Sequence, residues 1–221
     1  MPSAPKPSER ASPRKEEKLF LGIVIALALV AGVGSWFAAA ALSHRDKPHD
    51  ILPDRERMLG DFVLTNAAGR PVTRTELDGK ILVVSFLFTS CSLTCPEVTR
   101  RMAEIQRLTA NDAGVRFVSL TVDPRSDTPP VLAKWGARFG ADTNRWLFLT
   151  GDKSVLHGLI AKSFLAQDNG DPFNSMPGNF TGTERIAVVD KHGRTRIYFD
   201  GLRPETAAAV VAEIARLRSE P

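Results

Sequence analysis

At 221 residues, 43% hydrophobic and 24% charged, the chain is long enough for one packed domain plus accessory segments and too apolar for a disordered protein. Its formal charge of +4 forms no basic stripe: residues 1–18 hold five basic and three acidic side chains, residues 19–42 none, and the remaining +2 is spread over residues 43–221. Without a basic face interleaved with aromatics, the sequence argues against nucleic acid as a partner.

Residues 1–18, with Lys6, Arg10, Arg14, Lys15 and Lys18, read as a cytoplasmic basic tail. Residues 19–42 are 24 uncharged, mostly apolar positions, with Trp36 and Phe37 near the C-terminal end. As a helix they would extend about 36 Å, against a bilayer core of about 30 Å. The predicted arrangement is a single-pass anchor in the inner membrane, with the C-terminal part in a bacterial periplasm, where disulfides persist. A cleaved signal peptide ending at Ala39-Ala40-Ala41 is the competing expectation; Glu9, Glu16 and Glu17 argue against a transit peptide. Polar, Pro-containing residues 43–56 read as a linker, and residues 57–221 as the exported domain.

Within that domain, residues 62–64 and 71–73 flank the turn Asn66-Ala67-Ala68-Gly69 and predict a hairpin. Residues 81–88 are a continuous β-prone run, expected to be covered on both faces. A helix follows from Pro96, with Val98, Met102, Ile105 and Leu108 at helical spacing. Then come a strand over 115–122, a helix over 130–139 capped by Thr128, a strand over 146–149 and a helix over 153–164. Residues 186–189 and 196–199 predict a second hairpin through Lys191-His192-Gly193, and Ala207, Val210, Val211, Ile214 and Leu217 line one face of a closing helix. Strands alternating with helices imply an α/β domain with a mixed sheet.

The chain has two cysteines, Cys91 and Cys95, spaced C-x-x-x-C between the strand at 81–88 and the helix from Pro96. Cys91 is expected in the loop and Cys95 at the helix N-terminus, where the helix dipole would favour its thiolate and lower its pKa. Such a pair can exchange a disulfide or hold a soft ion such as Cu(I). Zinc is disfavoured, since a structural site wants four ligands. A stapling disulfide or two buried apolar thiols are the bland alternatives, but a five-residue loop gains little from a staple.

Three stretches carry a family resemblance: Gly79-Lys80 leading to Phe88-Thr89-Ser90-Cys91-Ser92-Leu93-Thr94-Cys95-Pro96; Val122-Asp123-Pro124-Arg125-Ser126-Asp127-Thr128-Pro129 with Arg138-Phe139-Gly140-Ala141; and Trp146-Leu147-Phe148-Leu149-Thr150-Gly151. In this order they resemble the Sco (SCO/SenC) family, membrane-anchored thioredoxin-fold copper chaperones of cytochrome c oxidase, from about Gly60 to Arg218. The resemblance implies a thioredoxin-like fold with an N-terminal hairpin, preceded by the single transmembrane helix. It also implies copper on Cys91 and Cys95, and a histidine in a later loop. That histidine is expected eight residues before Asp190, where the chain has Gly182. Two thiolates without the nitrogen ligand favour Cu(I) over Cu(II).

Asp123 and Met176 are candidate neighbours of the thiols, against bland readings as a turn former and a packed loop residue. His157 reads as a helix-edge side chain, His192 as a turn residue, and His44 and His49 as linker residues. The expected function is copper delivery to, or thiol–disulfide maturation of, the copper site of the oxidase. Its partner would be a respiratory oxidase subunit or another thiol-containing client. The alternative is a thiol–disulfide oxidoreductase that uses no copper, motivated by Gly182. A peroxidase is disfavoured, because Thr94 directly precedes Cys95 instead of standing three residues ahead.

Overall fold

The computed structural model describes residues 58–164 and 184–220. The predicted tail, membrane helix and linker, with His44 and His49, lie outside the described residues, as do Met176 and Gly182. Among the described residues no helix is long and apolar enough to cross a membrane.

The strands are β1 (Val63–Asn66), β2 (Pro71–Thr73), β3 (Ile81–Leu87), β4 (Val115–Thr121), β5 (Trp146–Thr150), β6 (Arg185–Val189) and β7 (Thr195–Asp200). The helices are α1 (Thr94–Leu108), α2 (Pro129–Arg138), α3 (Lys153–Ser163) and α4 (Thr206–Ser219), with a 3-10 turn at Arg74–Leu77. The strands form one sheet in the order β2-β1-β5-β4-β3-β6-β7. β3, β4 and β5 run parallel at its centre, and β1 and β6 flank them antiparallel. This is a thioredoxin-like α/β fold, with an N-terminal hairpin of β1 and β2 added at one edge.

The layers follow from the strand pattern. All seven residues of β3 are buried, as a strand covered on both faces requires. Ile81, Val83 and Leu87 pack with Val98, Met102 and Ile105 of α1, Leu132 and Trp135 of α2, and Val210, Ile214 and Leu217 of α4. Leu82, Val84 and Phe86 face the other way, onto Leu156, Leu159 and Ile160 of α3 and onto Leu59 and Phe62. The odd position Ser85 enters the first layer as a polar exception. Its hydroxyl meets that of Ser119 at 2.8 Å, and the indole N–H of Trp146 donates to Ser119 at 2.9 Å. A Cβ at Gly136 of α2 would stand 2.9 Å from the Phe148 ring, so the helix lies against β5 only with glycine there.

One element boundary near the cysteines differs from the expected one. α1 begins at Thr94, two residues before Pro96, because the first-turn N–H groups have no intrahelical partner and proline costs nothing there. Thr128 does stand at the N-cap position of α2, but its side chain makes no capping hydrogen bond.

Because β3 and β4 are parallel, their C-terminal ends open onto the same edge, and Val122 N–H donates to Leu87 O there at 2.9 Å. Crevices at the carboxyl ends of parallel strands are the usual place for a site in such sheets. Both cysteines lie at this edge.

Candidate functional site: the Cys91 and Cys95 pair

β3 ends at Leu87, and the chain turns at Phe88, whose carbonyl accepts the Cys91 N–H at 3.1 Å. Three residues later α1 starts, and its first turn carries Cys95. Leu93 is the formal N-cap and cannot cap with its apolar side chain. The Cys91 sulfur takes over that function, accepting the Cys95 N–H at 3.3 Å and standing 3.4 Å from the Thr94 hydroxyl. Cys91 is half-buried and Cys95 fully buried, both are free thiols, and the two side chains are in hydrogen-bonding contact.

The electrostatics are strongly asymmetric. Burial pushes the Cys91 thiol up, but hydrogen bonds from Thr94, from the N–H groups of Cys95 and Leu93, and from the Cys95 thiol outweigh it and bring the pKa down to about 7. Burial raises the Cys95 thiol to about 12; the bond from Phe88 N–H does not offset it, and the neighbouring Cys91 adds to it. The expectation that Cys95 would carry the lowered pKa is therefore corrected. Position at a helix N-terminus is not enough. The Cys95 side chain points into the core with Val98 and Leu132, while the sulfur that faces the open N–H groups belongs to Cys91.

Thr99 of α1 returns a hydroxyl bond to the Cys95 carbonyl at 2.6 Å and accepts the Trp135 indole N–H at 3.2 Å, joining α2 to the thiol turn. On the Cys91 side, buried Asp127 accepts the Thr89 N–H at 3.1 and 3.2 Å and the hydroxyls of Thr89 and Thr121. In the sequence, Thr89 and Asp127 stand inside longer motifs and carry no signal of their own. A carboxylate beside a proline-rich turn gives no sign that it will be buried.

Asp123 lies in the β4–α2 turn. Its N–H donates to the Thr121 hydroxyl at 2.9 Å, and its carbonyl accepts from Ser126 and Asp127 at 3.2 and 2.9 Å. Among the described residues its carboxylate makes no hydrogen bond to either thiol, and its backbone bonds shape the turn. His192 is exposed in the β6–β7 turn; β6 is antiparallel to β3, so this turn lies at the sheet end opposite the cysteines. His157 belongs to α3, whose core residues pack on the other face of the sheet. The described residues contain no group of three or more His, Cys, Asp or Glu able to hold a metal ion.

Chemically, such a pair offers one partly exposed sulfur stabilised as a thiolate by hydrogen bonds, and a second, buried thiol in contact with it. BsSco, described as a member of the Sco family of cytochrome c oxidase assembly proteins in which a disulfide switch was identified, superposes with a TM-score of 0.64 at 24% identity, over 78% of this chain and 100% of that one. ScoI of Bradyrhizobium japonicum, solved with copper bound, superposes with a TM-score of 0.56 at 28% identity, over 72% of this chain and 99% of that one. A SCO1 protein homolog of Bacillus subtilis (strain 168) is 36% identical over 107 residues, 48% of this chain; the match spans about half, 55%, of the length of that relative. The SCO1/SenC family model matches residues 52–218, from before the first hairpin to the end of the closing helix, and the chain belongs to that family.

Proposed function

We propose that this protein carries copper on Cys91 and Cys95 and serves the maturation of the copper site of cytochrome c oxidase, from the outer face of the inner membrane. The observation that carries the reading is the placing of a half-buried and a buried free thiol together at the start of α1, where the Cys91 sulfur accepts the Cys95 N–H at 3.3 Å. Membership of the SCO1/SenC family and the copper-bound ScoI support the metal. The uncharged run at residues 19–42 supports the anchor.

Copper here is cargo. Cys91, half ionised near neutral pH, is the landing ligand. Cys95 becomes the second ligand by losing its proton, and the two sulfurs satisfy the two-coordinate preference of Cu(I). A client thiolate would displace them one at a time. Release is eased because Cys95 readily takes a proton back.

The same sulfurs support thiol–disulfide exchange, the second reading, favoured by Gly182 at the expected histidine position. The Cys91 thiolate attacks one sulfur of a client disulfide, and the other leaves as a thiolate. Cys95 then loses its proton and attacks the Cys91 sulfur of the mixed disulfide, releasing the second client thiolate. Two electrons pass to the client, the Cys91–Cys95 disulfide forms, and a dithiol reductant must restore the pair.

Deleting the gene and measuring oxidase activity and its copper content tests the proposal. Wild-type protein should restore both, and Cys91→Ser or Cys95→Ser should restore neither. Full restoration by both variants would refute it.

A further inference from the structure

The loop of residues 88–93 that carries Cys91 has exposed side chains at Ser90, Ser92 and Leu93, while Phe88 and Cys91 rest against the core. Phe88 N–H bonds the Cys95 sulfur, and Cys91 bonds within the loop and to the first turn of α1. Its tie to the neighbouring β4–α2 segment is Thr89. Both the N–H and the hydroxyl of Thr89 end on Asp127, whose other carboxylate oxygen takes the Thr121 hydroxyl at the end of β4. Asp127 is fully buried, and among the described residues no cation forms an ion pair with it. A buried carboxylate held by neutral donors alone is a costly way to cap a turn. Here three donors from two separate strand ends converge on it, and one donor residue lies two positions before the thiolate.

We propose that Asp127 is a positioning residue for the thiol pair: by gripping Thr89 it fixes the base of the 88–93 loop, so that the Cys91 sulfur stays over the N-terminus of α1 in contact with Cys95. The inference rests on the pair working as the reading above describes, but it concerns geometry that exists without copper. Loosening the grip lowers the effective concentration of one sulfur at the other. The Cys91–Cys95 disulfide then becomes less stable relative to the dithiol.

The test uses the full-length chain, copper-free, equilibrated with reduced and oxidised glutathione, as wild type, Asp127→Asn, Thr89→Val and Leu156→Ala. Leu156 is buried in α3 on the opposite face of the sheet and serves as a matched loss of stability. Asp127→Asn keeps the shape but leaves an amide N–H₂ facing the Thr121 hydroxyl. It should lower the disulfide equilibrium constant about tenfold, a rise of about 30 mV in reduction potential. Thr89→Val, which keeps the N–H, should shift it in the same direction by less, and Leu156→Ala should leave it unchanged. Iodoacetamide labelling of Cys91 at pH 6, below its midpoint, gives an independent reading: it should slow in Asp127→Asn, because the sulfur loses its N–H donors and with them thiolate. A potential and labelling rate that change no more than in Leu156→Ala would make Asp127 plain scaffold and overturn the proposal. Faster labelling would also overturn it, since removing a nearby negative charge does that without any change of position. If wild type forms no reversible disulfide, the exchange reading fails, and the labelling rates still decide the role of Asp127. If Asp127→Asn does not fold, Thr89→Val decides both readouts.

Discussion

Replacing Thr94 by Val removes one hydroxyl from the Cys91 sulfur, 3.4 Å away, and changes little else in volume. A hydrogen bond to a charged group is worth about 1.5–3 kcal/mol, and one pKa unit corresponds to about 1.4 kcal/mol. Because Cys91 is half-buried, solvent screening holds the effect to the low end, about one unit. The Cys91 midpoint should therefore move from about 7 to about 8. A higher pKa also makes the thiolate intrinsically more nucleophilic, by about threefold per unit. The two effects oppose, and the rate profiles must cross. At pH 6 the variant should react about threefold more slowly with iodoacetamide, and at pH 9 about threefold faster. Labelling of the reduced protein over pH 5–10, with the site read by peptide mass, measures this. An unchanged midpoint, a uniform scaling of rate at every pH, or first labelling at Cys95 would refute the assigned asymmetry.

Copper binding should be coupled to protons. Between about pH 7 and about 12 each Cu(I) bound should release one proton, from Cys95, and below about pH 7 it should release two. The apparent affinity should thus tighten about tenfold per pH unit above 7 and about a hundredfold per unit below, measured by chelator competition; a pH-independent affinity would contradict it. Gly182→His should create Cu(II) binding that the parent lacks, seen as a copper EPR signal with nitrogen hyperfine structure. Gly136→Ala should destabilise despite its gain in helix propensity, by about 1–2 kcal/mol in urea unfolding, because the new Cβ meets the buried Phe148 ring. Ser119→Ala should cost about 1–3 kcal/mol in the same assay, since it strands both the Trp146 indole N–H and the Ser85 hydroxyl.

Much of the fold is legible from the sequence because its central strands declare themselves. The run at 81–88 is apolar on both parities, and β3 is buried on both faces. Of the apolar stripe Val98, Met102, Ile105 and Leu108, the first three mark the buried side of α1, whereas Leu108, at its C-terminal end, is exposed. The sheet order was less accessible, since pairing β1 with β5 depends on long-range contacts and not on any local pattern. At the site, the placement of Cys91 in a loop and Cys95 in the first turn of a helix was readable from spacing and Pro96. Which sulfur is the acidic one was not. That depends on the direction in which each side chain leaves the turn, and the fold buries one and aims the other at the free N–H groups. Asp127 was equally silent, because a carboxylate takes its role from donors 38 and six residues away in sequence.

The central claim is that Cys91 and Cys95 together form one Cu(I) site. Anaerobic titration of the reduced full-length protein with Cu(I), against a chromophoric chelator, tests it most directly. One copper per chain should bind, and neither Cys91→Ser nor Cys95→Ser should hold it against the chelator. Failure to bind one equivalent, or binding that survives loss of both sulfurs, would contradict the claim.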